Sequence, residues 1–233
     1  MKNVFVICLL VLLLACAKEK ELGNMIVSGK IKGLKKGTLY LQKMKDTLLI
    51  SVDSINLFGN DTFMLTGNIK SSEMYYISLY GNENRISFFG QEGTIMINDK
   101  LENFGFKPSI EGSKNQKIFE EYKNMASKFQ GKQLDLLAEN IQAQKDKDLK
   151  KSEALRKQSD NQIRKKYIYT INYVLKHPDA EASAYITLTE LVNANIKYLD
   201  SINNSLTSRV KNSSYGKKLA TFVATIKKTE NSE

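Results

Sequence analysis

Two cysteines and one histidine are the side chains here with the strongest intrinsic chemistry: Cys8, Cys16 and His177. A thiolate needs a partner thiol for exchange, and a metal site needs several ligands close together. His177 could serve as a general base, but no Gly-x-Ser-x-Gly elbow marks a nucleophile for it. No P-loop, Gly-x-Gly-x-x-Gly, EF-hand loop or His-Glu-x-x-His is present. Glu120 and Glu121 are adjacent carboxylates in a helical pattern, and sequence neighbours do not face each other on a helix. The expectation is therefore a protein that is not an enzyme and needs neither cofactor nor metal. A hidden hydrolase built on His177 is the weakest of the alternatives.

Cys16 closes a segment with its own logic. Lys2 is followed by an apolar run from Val4 to Leu14 and then by Ala15-Cys16. A basic start, a short apolar core and a small residue before a cleavage point make a secretory signal. The run falls short of the ~20 apolar residues a membrane-spanning helix needs. Leu13-Leu14-Ala15-Cys16 resembles the bacterial lipobox, which implies a leader over 1–15 and diacylation of Cys16. Multiple acyl chains give stable membrane anchoring. An ordinary signal peptide that ends near a cysteine is the plainer alternative. Ala17 in place of Asp tilts the expected address toward the outer membrane, at its periplasmic face or the cell surface. Residues 16–24 then read as a charged tether.

With 1–15 removed, the 35 basic residues lose Lys2 and become 34, against 25 acidic. Cys16 is the one cysteine left, so disulfides and cysteine metal sites are excluded from the mature chain. The lysines are interleaved with Asp, Glu and Gln, and an exported chain rarely meets nucleic acid. No nucleic-acid partner is expected, and anionic lipid or polysaccharide suits the charge better.

The elements around these residues change period near residue 112. From Met25 to Ile110 apolar residues alternate with polar ones between turn signals such as Gly33-Leu34-Lys35-Lys36-Gly37 and Gly59-Asn60-Asp61. About seven to nine short strands in an antiparallel β-sandwich or barrel-like domain follow, over 25–111. Tyr75, Tyr76, Tyr80, Phe88 and Phe89 could line a small-molecule or glycan site there, although aromatics on alternating strands more often fill a core.

From Ser113 the period is helical, over 112–228, with a frayed tail at 229–233. Ser113-x-x-Gln116 matches a capping box. Gly131 is expected to break or bend the first helix, and a second is expected from Gln133 to Lys176. Between Gln142 and Lys166 the pattern is polar nearly all round, which marks either a projecting contact arm or a solvated helix packed on one side. Pro178 fits a first helical position with Asp179 and Glu181 in the first turn. Leu199, Ile202, Leu206 and Val210 read as one helix, and Tyr215 to Ile226 as the last. His177-Pro178-Asp179 is also the tripeptide of the J-domain loop, but an exported chain has no access to cytosolic Hsp70, so His177 reads as structural. The fold class is α+β.

The order of several short motifs resembles a known arrangement. Ile26-Val27-Ser28-Gly29-Lys30-Ile31-Lys32-Gly33, Val52-Asp53-Ser54, Phe63-Met64-Leu65-Thr66-Gly67-Asn68-Ile69, Ile86-Ser87-Phe88-Phe89-Gly90-Gln91-Glu92-Gly93 and Ile110-Glu111-Gly112-Ser113 are similar to the domain of unknown function 4369. That domain precedes thioredoxin-like domains in exported lipoproteins of Gram-negative bacteria. His177-Pro178-Asp179 with Ser183-Ala184-Tyr185, and Ser214-Tyr215-Gly216, resemble the helical linker of those proteins. The resemblance implies the accessory portion of such a lipoprotein without its Cys-x-x-Cys domain, so no catalytic residue is carried over. The expectation is a membrane-anchored, protein-binding or accessory module of the envelope with a protein partner, and the alternative is a small-molecule or glycan-binding module.

Overall fold

The computed structural model describes residues 22–230. The leader, Cys16 and most of the tether lie outside the described residues.

Eight strands form the first unit: β1 Met25–Lys32, β2 Lys36–Lys45, β3 Leu48–Phe58, β4 Thr62–Gly67, β5 Glu73–Leu79, β6 Arg85–Gly90, β7 Gly93–Lys100 and β8 Ser109–Glu111. They make two open four-stranded sheets, ordered β4-β1-β7-β8 and β3-β2-β5-β6, packed face to face. The structure is a sandwich and not a closed barrel. The alternation fixes its interior: Val27, Ile31, Leu39, Leu41, Leu65, Ile77, Ile95 and Ile97 are fully buried between the sheets. One expectation fails. β1 and β7 pair in parallel, Met25 with Gly93 through Lys32 with Lys100, so the first sheet is mixed. Alternation decides which face a residue occupies and carries no information on strand direction. The backbones are close at this pair, since a Cβ on Gly29 would sit 1.8 Å from the Ile97 carbonyl oxygen.

The second unit has six helices: α1 Lys114–Lys145, α2 Leu149–Lys176, α3 Glu181–Glu190, α4 Ile196–Ser205, α5 Ser208–Lys211 and α6 Ser214–Glu230. Gly131 does not break α1, which continues through it to Lys145. A single glycine in an exposed helix costs about 1 kcal/mol, too little to end so long a helix. The chain turns instead at Asp146–Asp148, where Lys147 takes a left-handed backbone and the Asp148 side chain accepts the Lys151 N–H at 2.9 Å. Pro178 and Asp179 form a turn, and α3 starts later, at Glu181. The expected Leu199–Val210 helix is interrupted at Leu206, after which Thr207 caps α5. The C-terminal helix remains intact to Glu230.

The two units are fastened along β6. Adjacent phenylalanines point to opposite sides of this strand: Phe88 into the sandwich, Phe89 into the helices. Phe89 meets Phe119, Tyr185 and Tyr215 edge-on at centroid distances of 5.4, 5.5 and 6.3 Å. Gln116 Oε1 accepts the Phe89 N–H at 2.9 Å, which covers the exposed edge of the sheet. This corrects the capping box. Ser113 Oγ does accept the Gln116 N–H, at 3.2 Å, but the Gln116 side chain goes to the sheet and to Glu120 instead of returning to Ser113. Tyr215 Oη accepts the Met74 N–H at 3.1 Å, and burial raises its pKa.

Candidate functional site

The five aromatics proposed from sequence do not converge. Tyr75 and Phe88 lie in the sandwich core, 6.0 Å apart, and Phe89 lies in the seam between the units; all three are fully buried. Burial raises the Tyr75 pKa against the opposing charge of Lys43. Tyr76 is half-buried beside the helices, and Tyr80 is exposed on the β5–β6 turn. As a joint ligand site this set is corrected, because adjacent residues on a strand, such as Tyr75 with Tyr76 and Phe88 with Phe89, point to opposite faces and cannot present one surface. His177 caps the end of α2, and its ring rests 4.7 Å from that of Tyr173. Its carbonyl accepts the Ser183 hydroxyl, a structural role.

A polar cleft of about 570 Å³ separates the two units near Ser71, Gln91, Asn115 and Asn212. Of the charged groups that line it, Lys114, Glu181 and Arg209 are committed to partners. Glu181 is 2% exposed, accepts Asn115 Nδ2 at 2.9 Å and pairs with Arg209, which also reaches the Asp179 carbonyl. Lys114 pairs with Asp179 at 2.7 Å and lowers that carboxyl's pKa. Breaking a pair to buried Glu181 would leave its charge uncompensated, so this network fastens the helices, and Lys70 and Glu92 are the further charges on the cleft wall.

The α1–α2 hairpin is different. Near the sandwich it is braced: Tyr122 is buried, donates to or accepts from Thr170 Oγ1 at 3.0 Å, and has its pKa pushed up to about 12 by burial. Beyond Phe129 the two helices lean only on each other. Their seam holds Leu136, Ala143 and Leu155, with Gln133 Nε2 donating to Ser159 at 2.5 Å and Ser152 Oγ to Asn140 at 2.7 Å. On α1 the seam uses Phe129, Gln133, Leu136, Asn140 and Ala143, a heptad spacing. Leu134, Leu137 and Ile141 form a second stripe beside it and remain 58, 53 and 46% exposed. On α2, Ile163 is also 58% exposed and faces Leu134 across a groove of about 340 Å³. Gln133 Oε1 is buried in this region without a hydrogen-bond partner. From α2 the groove is lined by Gln162, Ile163 and Lys166, with Lys166 paired to Glu190 at 2.8 Å, while α2 over its whole length carries eight basic and two acidic side chains.

The sequence pattern pointed to the charged stretch 142–166, but the apolar stripe lies mostly ahead of it, at 134–141. The signal that separates seam from stripe is the presence of two apolar series on one helix, of which a hairpin can bury only one.

Among the described residues no cluster of three or more potential metal ligands occurs, and no helix is long and apolar enough to cross a membrane. Residues 25–119 match the family described as Domain of unknown function (DUF4369), and the chain carries that domain over this span. The match runs past β8 into the first turns of α1, where Gln116 and Phe119 cover β6. No curated protein and no solved structure matches the chain.

Proposed function

For a chain whose residues 25–119 form a DUF4369 domain, we propose a non-catalytic, protein-binding accessory lipoprotein of the bacterial envelope, anchored through acyl chains on Cys16 and sorted to the outer membrane. The observation that carries the reading is the exposed stripe Leu134, Leu137 and Ile141 on a projecting hairpin, beside a groove whose second helix is basic over its length. Exposed apolar series at helical spacing are the usual anchor pattern for a partner helix. The partner this groove suits is an amphipathic helix with acidic flanks.

The test is site-specific photocrosslinking in cells at Leu137, with exposed Asn172 on the braced part of α2 as the comparison site and a Cys16→Ala chain as the mislocalised control. The expected result is a crosslinked peptide of amphipathic, acid-flanked sequence, obtained from Leu137 alone and lost in the Cys16→Ala chain. Equal crosslinking from both sites, or none from Leu137, would sink the reading. The alternative, a small-molecule or glycan module, draws support from the 570 Å³ polar cleft, and a ligand-dependent rise in melting temperature would favour it.

A further inference from the structure

One end of the sandwich gathers four turns. β1 and β7 run in parallel toward it, and β3 and β5 also end there. The turns are interlocked: the Gly59 N–H donates to the Lys35 carbonyl at 2.7 Å and the Tyr80 N–H to the Thr38 carbonyl at 3.0 Å. The loop after β7 lies against the β5–β6 turn, since a Cβ on Gly105 would meet the Arg85 carbonyl oxygen at 2.8 Å. The helices and the start of the described chain lie at the opposite end, where Asn24 hydrogen-bonds to Ile69.

Each of three turns places an aromatic ring in solvent. Phe58 is 84% exposed, Tyr80 79% and Phe106 74%. Three exposed rings on neighbouring turns are not the scatter of single apolar residues a soluble surface normally shows. Around them stand lysines. Lys32 and Lys100 are directly opposite each other in the β1–β7 register, and like charges placed so repel. Together with Lys36, they make no ion pair among the described residues. Lys107 sits over the Phe106 ring at 5.6 Å. Glu83 and Glu102 share these turns, but Lys32, Lys36, Lys100 and Lys107 outnumber them, and rings that seek the boundary between water and acyl chains beside a surplus of ammonium groups match an anionic bilayer surface in both polarity and charge.

We propose that this end of the sandwich docks on a membrane surface carrying anionic phospholipid, with the rings of Phe58, Tyr80 and Phe106 entering the interface and the lysines contacting phosphates. The contact is separate from the acyl anchor at Cys16 and from the hairpin groove, and it does not depend on either.

The test uses a chain beginning at Leu22, which keeps every described element and lacks both the apolar leader and Cys16. Binding is measured by flotation with vesicles of phosphatidylcholine alone and with about one-third phosphatidylglycerol. The expected result is roughly tenfold stronger partitioning onto the anionic vesicles, weakened by salt. A Phe58→Ser/Phe106→Ser chain and a Lys32→Glu/Lys100→Glu chain should each lose that difference. Leu137→Glu should retain it. These tip residues are exposed, so an unchanged circular-dichroism melt checks that each variant is folded. Absence of preference for the anionic vesicles, or retention of it in both tip variants, overturns the proposal. So does a dimer in sedimentation that dissociates on Phe58→Ser/Phe106→Ser while vesicle binding is absent, because a second copy would then be what covers the rings.

Discussion

Phe89→Ala is the sharpest perturbation of the joint between the two units. The ring is fully buried and has three aromatic rings around it, with Ile118, Ala180 and Ala182 completing the same cluster. Removing a phenylalanine from such a site typically costs ~3–5 kcal/mol, since the surroundings collapse only partly into the cavity. At ~2–4 °C per kcal/mol for a chain of this size, the melting temperature should fall by roughly 6–20 °C. Phe88→Ala, one residue away, should cost a similar amount by damaging the sandwich alone. The two differ in what unfolds. Wild type should unfold in one transition, with far-ultraviolet circular dichroism and tyrosine fluorescence superimposed. Phe89→Ala should split the curves, with the helices melting first. A loss below about 1 kcal/mol with the probes still coincident would refute the claim that this ring couples the units.

Three further outcomes follow from other parts of the fold. Gly131→Ala should stabilise the hairpin by ~0.5–1 kcal/mol, because the glycine is helical and a methyl there would meet no neighbour within 4 Å; a lower urea midpoint would show that α1 needs the glycine. Tyr122 is held at about 12 against an ordinary 10.0, so the fold favours the protonated phenol. Its contribution is complete below about pH 10 and is lost as pH rises through about 12; a urea midpoint that is flat over this range would contradict the burial. Gly216→Ala should destabilise the α5–α6 corner severely, since the added carbon would lie 1.9 Å from the Val210 carbonyl oxygen; a melting temperature equal to wild type would show that the corner can open.

Much of the architecture was legible because it follows from local rules. Val27, Ile31, Leu39 and Leu41 alternate as half-buried strands must, and the change of period at Ser113 marks the first helix where the Ser113 cap is found. What was not legible depends on partners distant in sequence. Nothing at Met25 announces Gly93 as its parallel neighbour. The Phe88-Phe89 pair reads as two core residues, and only the presence of helices on the outer face of β6 gives them different jobs. The hairpin turn carries neither glycine nor proline, so Asp146–Asp148 passed as helix while Gly131, the visible breaker, was tolerated. The candidate site suffered from the same gap: an apolar series says that a helix face will be covered, and not whether its own chain or another molecule covers it.

The parallel partnership of β1 and β7 also dictates an order of assembly. β1 is the first strand in the chain, yet its neighbours are β4, beginning at Thr62, and β7, beginning at Gly93. A chain threaded amino-terminus first would leave one edge of Met25–Lys32 unsatisfied until Gly67 had emerged and the other until Lys100, when nearly the whole β unit is out. Pairings so remote in sequence close slowly, and unpaired strand edges invite association with other chains. The hairpin and its neighbouring helices, built from local contacts, would form quickly once released but find Phe89 and Met74 in place only after the sheets had closed. The sandwich is thus the slow step and the helices its lock. The interval before closure is when this chain is most exposed to aggregation or to capture by a holding chaperone.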